Sequence, residues 1–188
     1  MEYPQLYMLL LGCKPEGRFT EQHDVYFGTG GSLKELLPGI SAFWPGPHKI
    51  HIDAWRTVTE VDGFRISLVT KAEATETGNN GYRLFFLNLG GYKENEFEEY
   101  HYKLLVVARD KGAAIQQAKQ TAFYRHTHFE GADSHIDDKY GVDVDDLYEI
   151  EEILSREIKE KYTISITPNT EVIKDEWHLG YTKLSSLL

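Results

Sequence analysis

Slid against itself by 78 residues, the chain aligns positions 6–23 with 84–101 without a gap. The pairs Leu6/Leu84, Leu9/Leu87, Leu11/Leu89, Gly12/Gly90, Glu16/Glu94, Phe19/Phe97, Glu21/Glu99 and His23/His101 are identical. Chance would leave about one identity in a stretch of this length. Further on, "KIHIDAW" at 49–55 answers "DSHIDDK" at 133–139, now offset by 84, so the second copy gains six residues in between. Each copy therefore reads as Glu-x-His followed by His-x-Asp: Glu21, His23, His51 and Asp53 in the first, Glu99, His101, His135 and Asp137 in the second. The expected organisation is a first repeat over 1–70, a polar, glycine-bearing linker "KAEATETGNNG" over 71–81, a second repeat over 82–160 and a C-terminal strand and tail over 161–188. The two repeats are expected to pack on each other as one globular unit.

Periodicity suggests how each copy folds. "QLYMLLLG" is a continuous apolar run of strand length, and "EQHDVYFG" alternates as a half-buried strand does. "SLKELLPGISAF" opens with Ser32 and Glu35 at capping-box spacing and sets Leu33, Leu36, Leu37 and Ile40 on one helical face, with Pro38-Gly39 expected to kink or end it. Asp62-Gly63 between two alternating runs signals a hairpin that pairs Val61 with Phe64, Thr59 with Ile66 and Thr57 with Leu68. The second copy predicts strands at 83–90 and 99–107, then a helix near 110–124 presenting Ile115, Ala118 and Ala122. Leu147, Ile150, Ile153, Leu154 and Ile158 recur at helical spacing, so its last segment reads as a helix where the first copy has a hairpin arm. The fold class is α+β: two tandem ββαβ-type repeats, mainly antiparallel sheet, with helices packed on one face.

Composition excludes several functions. Thirty acidic against twenty basic residues leave a net charge of −10, which repels phosphate backbones and anionic membrane surfaces, so neither nucleic acid nor membrane is an expected partner. Cys13 is the single cysteine, which rules out an internal disulfide and fits a reducing cytoplasm. The N-terminal run "MEYPQLYMLLLGCK" has an acid and a proline where a signal peptide needs basic residues, and it is too short to span a bilayer. The expected location is cytoplasmic, and a homodimer built on an exposed sheet face or edge is left open.

The strings "LLLGCKPEGRFTEQHDVYFG", "FWP", "KIHIDAWRTVTEVDGF" and "HIDDKYGVDVDDLYEIEEIL" resemble an uncharacterised bacterial family, domain of unknown function 1543. The resemblance covers roughly residues 6–154 and implies two copies in this chain. It brings architecture and no chemistry, and Tyr102 departs from the Asp24 that follows Glu-x-His in the first copy.

The chemistry must then be read from the residues. Residues two apart on a strand share a face, so Glu21 and His23 project with Val25 and Phe27, and His51 and Asp53 extend the stripe of Trp55, Thr57, Thr59 and Val61. Ionisable groups on an apolar stripe need partners, since an unpaired buried charge costs several kcal/mol. The four groups of each copy are therefore expected in one cluster, with adjacent strands bringing Glu21, His23, His51 and Asp53 together and Glu99, His101, His135 and Asp137 likewise. Three roles satisfy them. One is a structural carboxylate–imidazole network that pins strand register. Another is a divalent-metal site, for which His23, His51 and Asp53 are the candidate ligands of zinc, manganese or iron, although no cofactor is specified by the pattern. The third is general acid–base catalysis by a histidine beside a carboxylate. The first copy is expected to be the better site, walled by Trp55 and its hairpin, where the second copy has Lys139 and Gly141.

Other candidates weaken on the residues themselves. Cys13 beside Lys14 suggests a nucleophile working with His23, but the second copy has Gly91 there. His126, His128 and His135 with Glu130 and Asp133 fall in the expected loop "RHTHFEGADSH" and read first as solvated. "DDKYGVDVDD" lacks the ligand spacing of a calcium loop. No phosphate loop, dinucleotide fingerprint or serine elbow is present. The function class that remains is a non-enzymatic binding or interaction module made by duplication; the alternative is a metal-dependent hydrolase or other small-molecule enzyme using the Glu-x-His plus His-x-Asp cluster.

Overall fold

The computed structural model describes residues 3–46, 49–77, 81–92, 95–127, 143–170 and 174–188; of 75–77, 92, 122–127 and 143 it describes the backbone alone. The chain divides into two compact units, one formed by Met1–Gly78 with Leu154–Leu188, the other by Asn79–Ile153. Among the described residues every strand pairing is antiparallel, and the fold is α+β. Among the described residues no helix is long and apolar enough to cross a membrane.

In the first unit β1 (Gln5–Cys13) lies between β2 (Gln22–Gly30) and β3 (His51–Thr57). The apolar run of β1 is buried on both of its faces, Leu6 on one and Leu9 and Leu11 on the other, which is why it does not alternate. Helix α1 (Leu37–Phe43) follows a 3-10 turn over Leu33–Leu36 and packs Ile40, with Leu36, against Tyr7, Leu9, Leu11 and Ile52. Pro38 sits in the first turn of α1, where its missing N–H has no bond to make, so it starts a helix rather than ending one. The Ser32 hydroxyl makes no cap bond; instead the Glu35 carboxylate accepts from the Gly31 N–H at 2.9 Å.

After β3 the chain changes sheets. β4 (Glu60–Val61) and β5 (Phe64–Thr70) form the expected hairpin, with Asp62 (φ 54°) and Gly63 (φ 78°) both left-handed as its tight turn demands. The Ile66 N–H reaches the Thr59 carbonyl at 2.8 Å, but the pairing of Thr57 with Leu68 does not form. Thr57 stays opposite Tyr7, and the Val58 N–H donates to the Leu6 carbonyl at 2.8 Å. Leu68 faces Ile164 instead. The expected linker begins as helix α2 (Lys71–Thr77), whose start is a capping box: the Thr70 hydroxyl accepts from the Glu73 N–H at 3.4 Å, and the Glu73 carboxylate accepts from the Thr70 N–H at 3.0 Å.

In the second unit β6 (Arg83–Tyr92) lies between β7 (Glu99–Ala108) and a third strand. Helix α3 (Lys111–Thr127), capped by the Asp110 carboxylate on the Ala113 N–H at 2.8 Å, lays Ala114 and Ala118 onto Phe85, Leu87, Leu89, Val106 and Ala108. Arg125, His126 and Thr127 thus end a helix where a loop is expected, and His128, Glu130 and Asp133 lie outside the described residues. The third strand, β8 (Asp143–Glu149), replaces the first part of the expected last helix: Leu147 pairs with Leu87 and reaches the core, and the helical rise begins only at α4 (Ile150–Ile153). The edge of β6 decides this, because β8 satisfies backbone groups that a helix would leave unpaired.

The remaining elements return to the first unit. Helix α5 (Arg156–Lys161) is capped by Ser155, whose hydroxyl accepts from the Ile158 N–H at 3.4 Å. Strand β9 (Tyr162–Pro168) pairs along β5, and β10 (His178–Lys183) adds to the outer edge of β3. The four-stranded sheet is ordered β10-β3-β1-β2.

Candidate functional site

One irregularity positions the candidate residues. Along β1 and β3, Leu10 pairs with Ala54 and Leu11 with Ile52, so Asp53 has no partner and is the extra residue of a β-bulge. The bulge corrects the expected single stripe. Trp55 and Ile52 both pack on the helix-covered face, whereas His51, opposite Gly12, and Asp53 turn to the other face. His23 also pairs with Gly12, from β2 on the opposite edge of β1, and Glu21 stands just before that strand. His23 does share the side of Val25 and Phe27, but that side lies opposite the α1 core.

Glu21, His23, His51 and Asp53 come together over Gly12. His23 Nε2 lies 3.2 Å from Asp53 Oδ2 and 3.7 Å from Glu21 Oε2; His51 Nε2 lies 3.3 Å from Asp53 Oδ1 and 3.2 Å from Glu21 Oε1. Each carboxylate thus turns one oxygen to each imidazole. Gly12 leaves the room: a Cβ there would stand 2.5 Å from both His51 Nε2 and Asp53 Oδ2. Solvent reaches the cluster unevenly. The side chains of Glu21 and His23 are 43% and 42% exposed, while His51 is buried and its ring lies against Tyr181 at 4.4 Å between centroids. His51 Nε2 and Asp53 Oδ2 are buried and make no hydrogen bond.

Tyr181, on the late strand β10, therefore walls the cluster. Trp55, expected in that place, lies on the other face and stacks on His178 at 3.8 Å, the two planes within 10°. The sequence offered a signal for Tyr181 in the alternating "WHLGYTK", which reads as a strand but does not reveal its neighbour.

The second unit brings Glu99 and His101 to the same relation with β6, His101 opposite Gly90. His135 and Asp137 lie outside the described residues. Beside Glu99 and His101 stand Asp143, opposite Gly90, and Asp145, which has no partner between Asn88/Asp146 and Leu89/Val144 and is again the bulge residue. His101 Nε2 is 3.4 Å from Asp145 Oδ2 and 4.0 Å from Glu99 Oε2. A Cβ on Gly90 would overlap the Asp145 carboxylate. Asp145 was missed because "HID" outweighs "DVD" as a match to "HID"; the signal that could have found it is the apolar pair Val144 and Leu147 at the spacing of Ile52 and Trp55.

Cys13 is buried at the end of β1, and burial, with the Glu21 charge behind it, pushes its thiol up, which makes it a poor nucleophile.

Comparison with known proteins places this geometry. The crystal structure of a protein Il1583 from Idiomarina loihiensis is similar, with a TM-score of 0.61 and 22% identity over 96% of this chain and 97% of that one, a likeness of fold. No curated protein matches the sequence. Residues 18–68, which include Glu21, His23, His51 and Asp53, match the family described as Domain of Unknown Function (DUF1543).

Proposed function

We propose that the chain is a non-enzymatic binding module, made by internal duplication and working in the cytoplasm, with the Glu21–His23–His51–Asp53 cluster as its ligand site. The observation that carries this reading is the pair of buried atoms without a bond, His51 Nε2 and Asp53 Oδ2, facing a cluster whose other half is open. An unsatisfied buried polar atom costs about 1–3 kcal/mol, which a polar ligand entering past Glu21 and His23 would return. Support for the duplication comes from the shared offset of 78 residues, under which the bulge at Leu10/Leu11 falls on that at Asn88/Leu89 and Gly12 on Gly90.

A second reading is a metal-dependent hydrolase or other small-molecule enzyme, favoured by the donor set itself: two imidazoles and two carboxylates suit zinc, manganese or iron. Metal analysis of the purified protein, with melting measured before and after chelation and on titration with Zn2+, separates the two. A metal content near one equivalent that falls in His51→Ala supports an ion as the ligand. No metal and a melting temperature indifferent to chelator and Zn2+ removes the metal reading and leaves an organic ligand to be sought by thermal-shift screening. Failure of any ligand to stabilise the wild type more than His51→Ala would sink the binding-site reading.

A further inference from the structure

The two clusters differ in charge. The first sets two imidazoles against two carboxylates. In the second the register of His51, opposite the glycine, is taken by Asp143, and the described side chains are one imidazole and two carboxylates.

We infer that Glu99, His101 and Asp145 form a divalent-cation site of the manganese class, oxygen-rich with one imidazole. Three observations carry it. One donor atom from each residue lies within 4.8 Å of the others. Two ligands of one ion, bonded at about 2.1–2.4 Å, stand at most about 4.2–4.8 Å apart, so an ion binds all three with small side-chain adjustments. The carboxylate of Asp145 is brought to this face by two backbone features, the bulge that re-aims it and the missing Cβ of Gly90 that gives it room. Asn88, on the face of β6 that Gly90 shares, donates from Nδ2 to Asp146 Oδ2 at 3.3 Å, and its own Oδ1 is buried without a hydrogen-bond partner. The three ligand side chains are between 34% and 40% exposed, so the ion keeps several waters, and carboxylate and water ligands select manganese or magnesium over softer ions. The site does not depend on the first cluster having a metal.

Mn2+ titration followed by electron paramagnetic resonance tests it, because the six-line signal of hexaaquo Mn2+ disappears on binding. The wild-type chain is expected to bind one Mn2+ at this site, with affinity reduced by about tenfold or more in Asp145→Asn and in His101→Ala, folding being checked by circular dichroism. Gly90→Ala, which replaces no ligand but displaces the Asp145 carboxylate, is expected to weaken the same event, while His51→Ala leaves it unchanged. An undiminished free signal at millimolar Mn2+ overturns the inference. So does binding that is lost in His51→Ala and kept in Asp145→Asn, which would assign the ion to the first cluster and support the proposed ligand site there.

Discussion

Replacing Gly12 by alanine adds one methyl group at the most crowded point of the candidate site. The new Cβ would stand 2.5 Å from His51 Nε2, 2.5 Å from Asp53 Oδ2 and 3.0 Å from His51 Cε1, all well inside van der Waals contact. His51 is 4% exposed and covered by Tyr181, so it has little room to retreat. Overpacking of such a site costs about 1–3 kcal/mol. Against this, alanine restricts the unfolded chain and returns roughly 0.4–1 kcal/mol, since Gly12 has ordinary strand geometry. The net loss is about 1–2 kcal/mol, or a fall in melting temperature of about 3–6 °C for a chain of this size. Gly90→Ala is the matched control: its Cβ meets only the carboxylate of Asp145, which is 34% exposed and free to swing out. Its change in stability should be within about 0.5 kcal/mol of zero, with either sign. Urea denaturation followed by tryptophan fluorescence reads both, as a lower midpoint at unchanged slope for Gly12→Ala. Equal midpoints for the two variants would refute the assignment of the crowding to His51.

Other outcomes follow from the same geometry. The side chain of Asp175 is 1% exposed, accepts from the Thr59 N–H at 3.1 Å and hydroxyl at 2.5 Å, and lies 3.5 Å from Arg56, whose guanidinium burial pushes down and Asp175 holds up; Asp175→Ala should cost about 3–5 kcal/mol in urea denaturation, and a loss below about 1 would refute the pairing. Cys13, its thiol raised by burial, forms thiolate only above the ordinary thiol range, so a disulfide reagent at pH 8 should react slowly with native protein and quickly in denaturant; equal rates would contradict its burial. His23 is 42% exposed, so His23→Ala should cost less than about 1 kcal/mol in stability while weakening ligand binding at the first cluster, and a large destabilisation with intact binding would make the cluster structural.

Local chemistry was legible in the residues. The unbroken apolar run of β1 marks a strand covered on both faces, Asp62-Gly63 marks a tight turn because both positions take positive φ, and Thr70-x-x-Glu73 carries a helix start that polar composition disguises as a linker. The Glu-x-His repeat, too, is local, since residues two apart share a strand face whatever the strand pairs with. That Leu147 extends a strand depends on the open edge of β6, and that Thr57 stays beside Tyr7 depends on a backbone bond to Leu6. The bulges at Asp53 and Asp145 exist only against the register of a partner strand, and they decide which face each acid serves. Tyr181 reaches His51 because the last strand returns to the outer edge of β3. The tight turn and the shared side of Glu-x-His are set by neighbours within a few residues and so were determined by the sequence alone, whereas register, bulge, the face each acid serves and the wall of the cluster are set by which distant strand supplies the hydrogen bonds, and only the tertiary structure decided that.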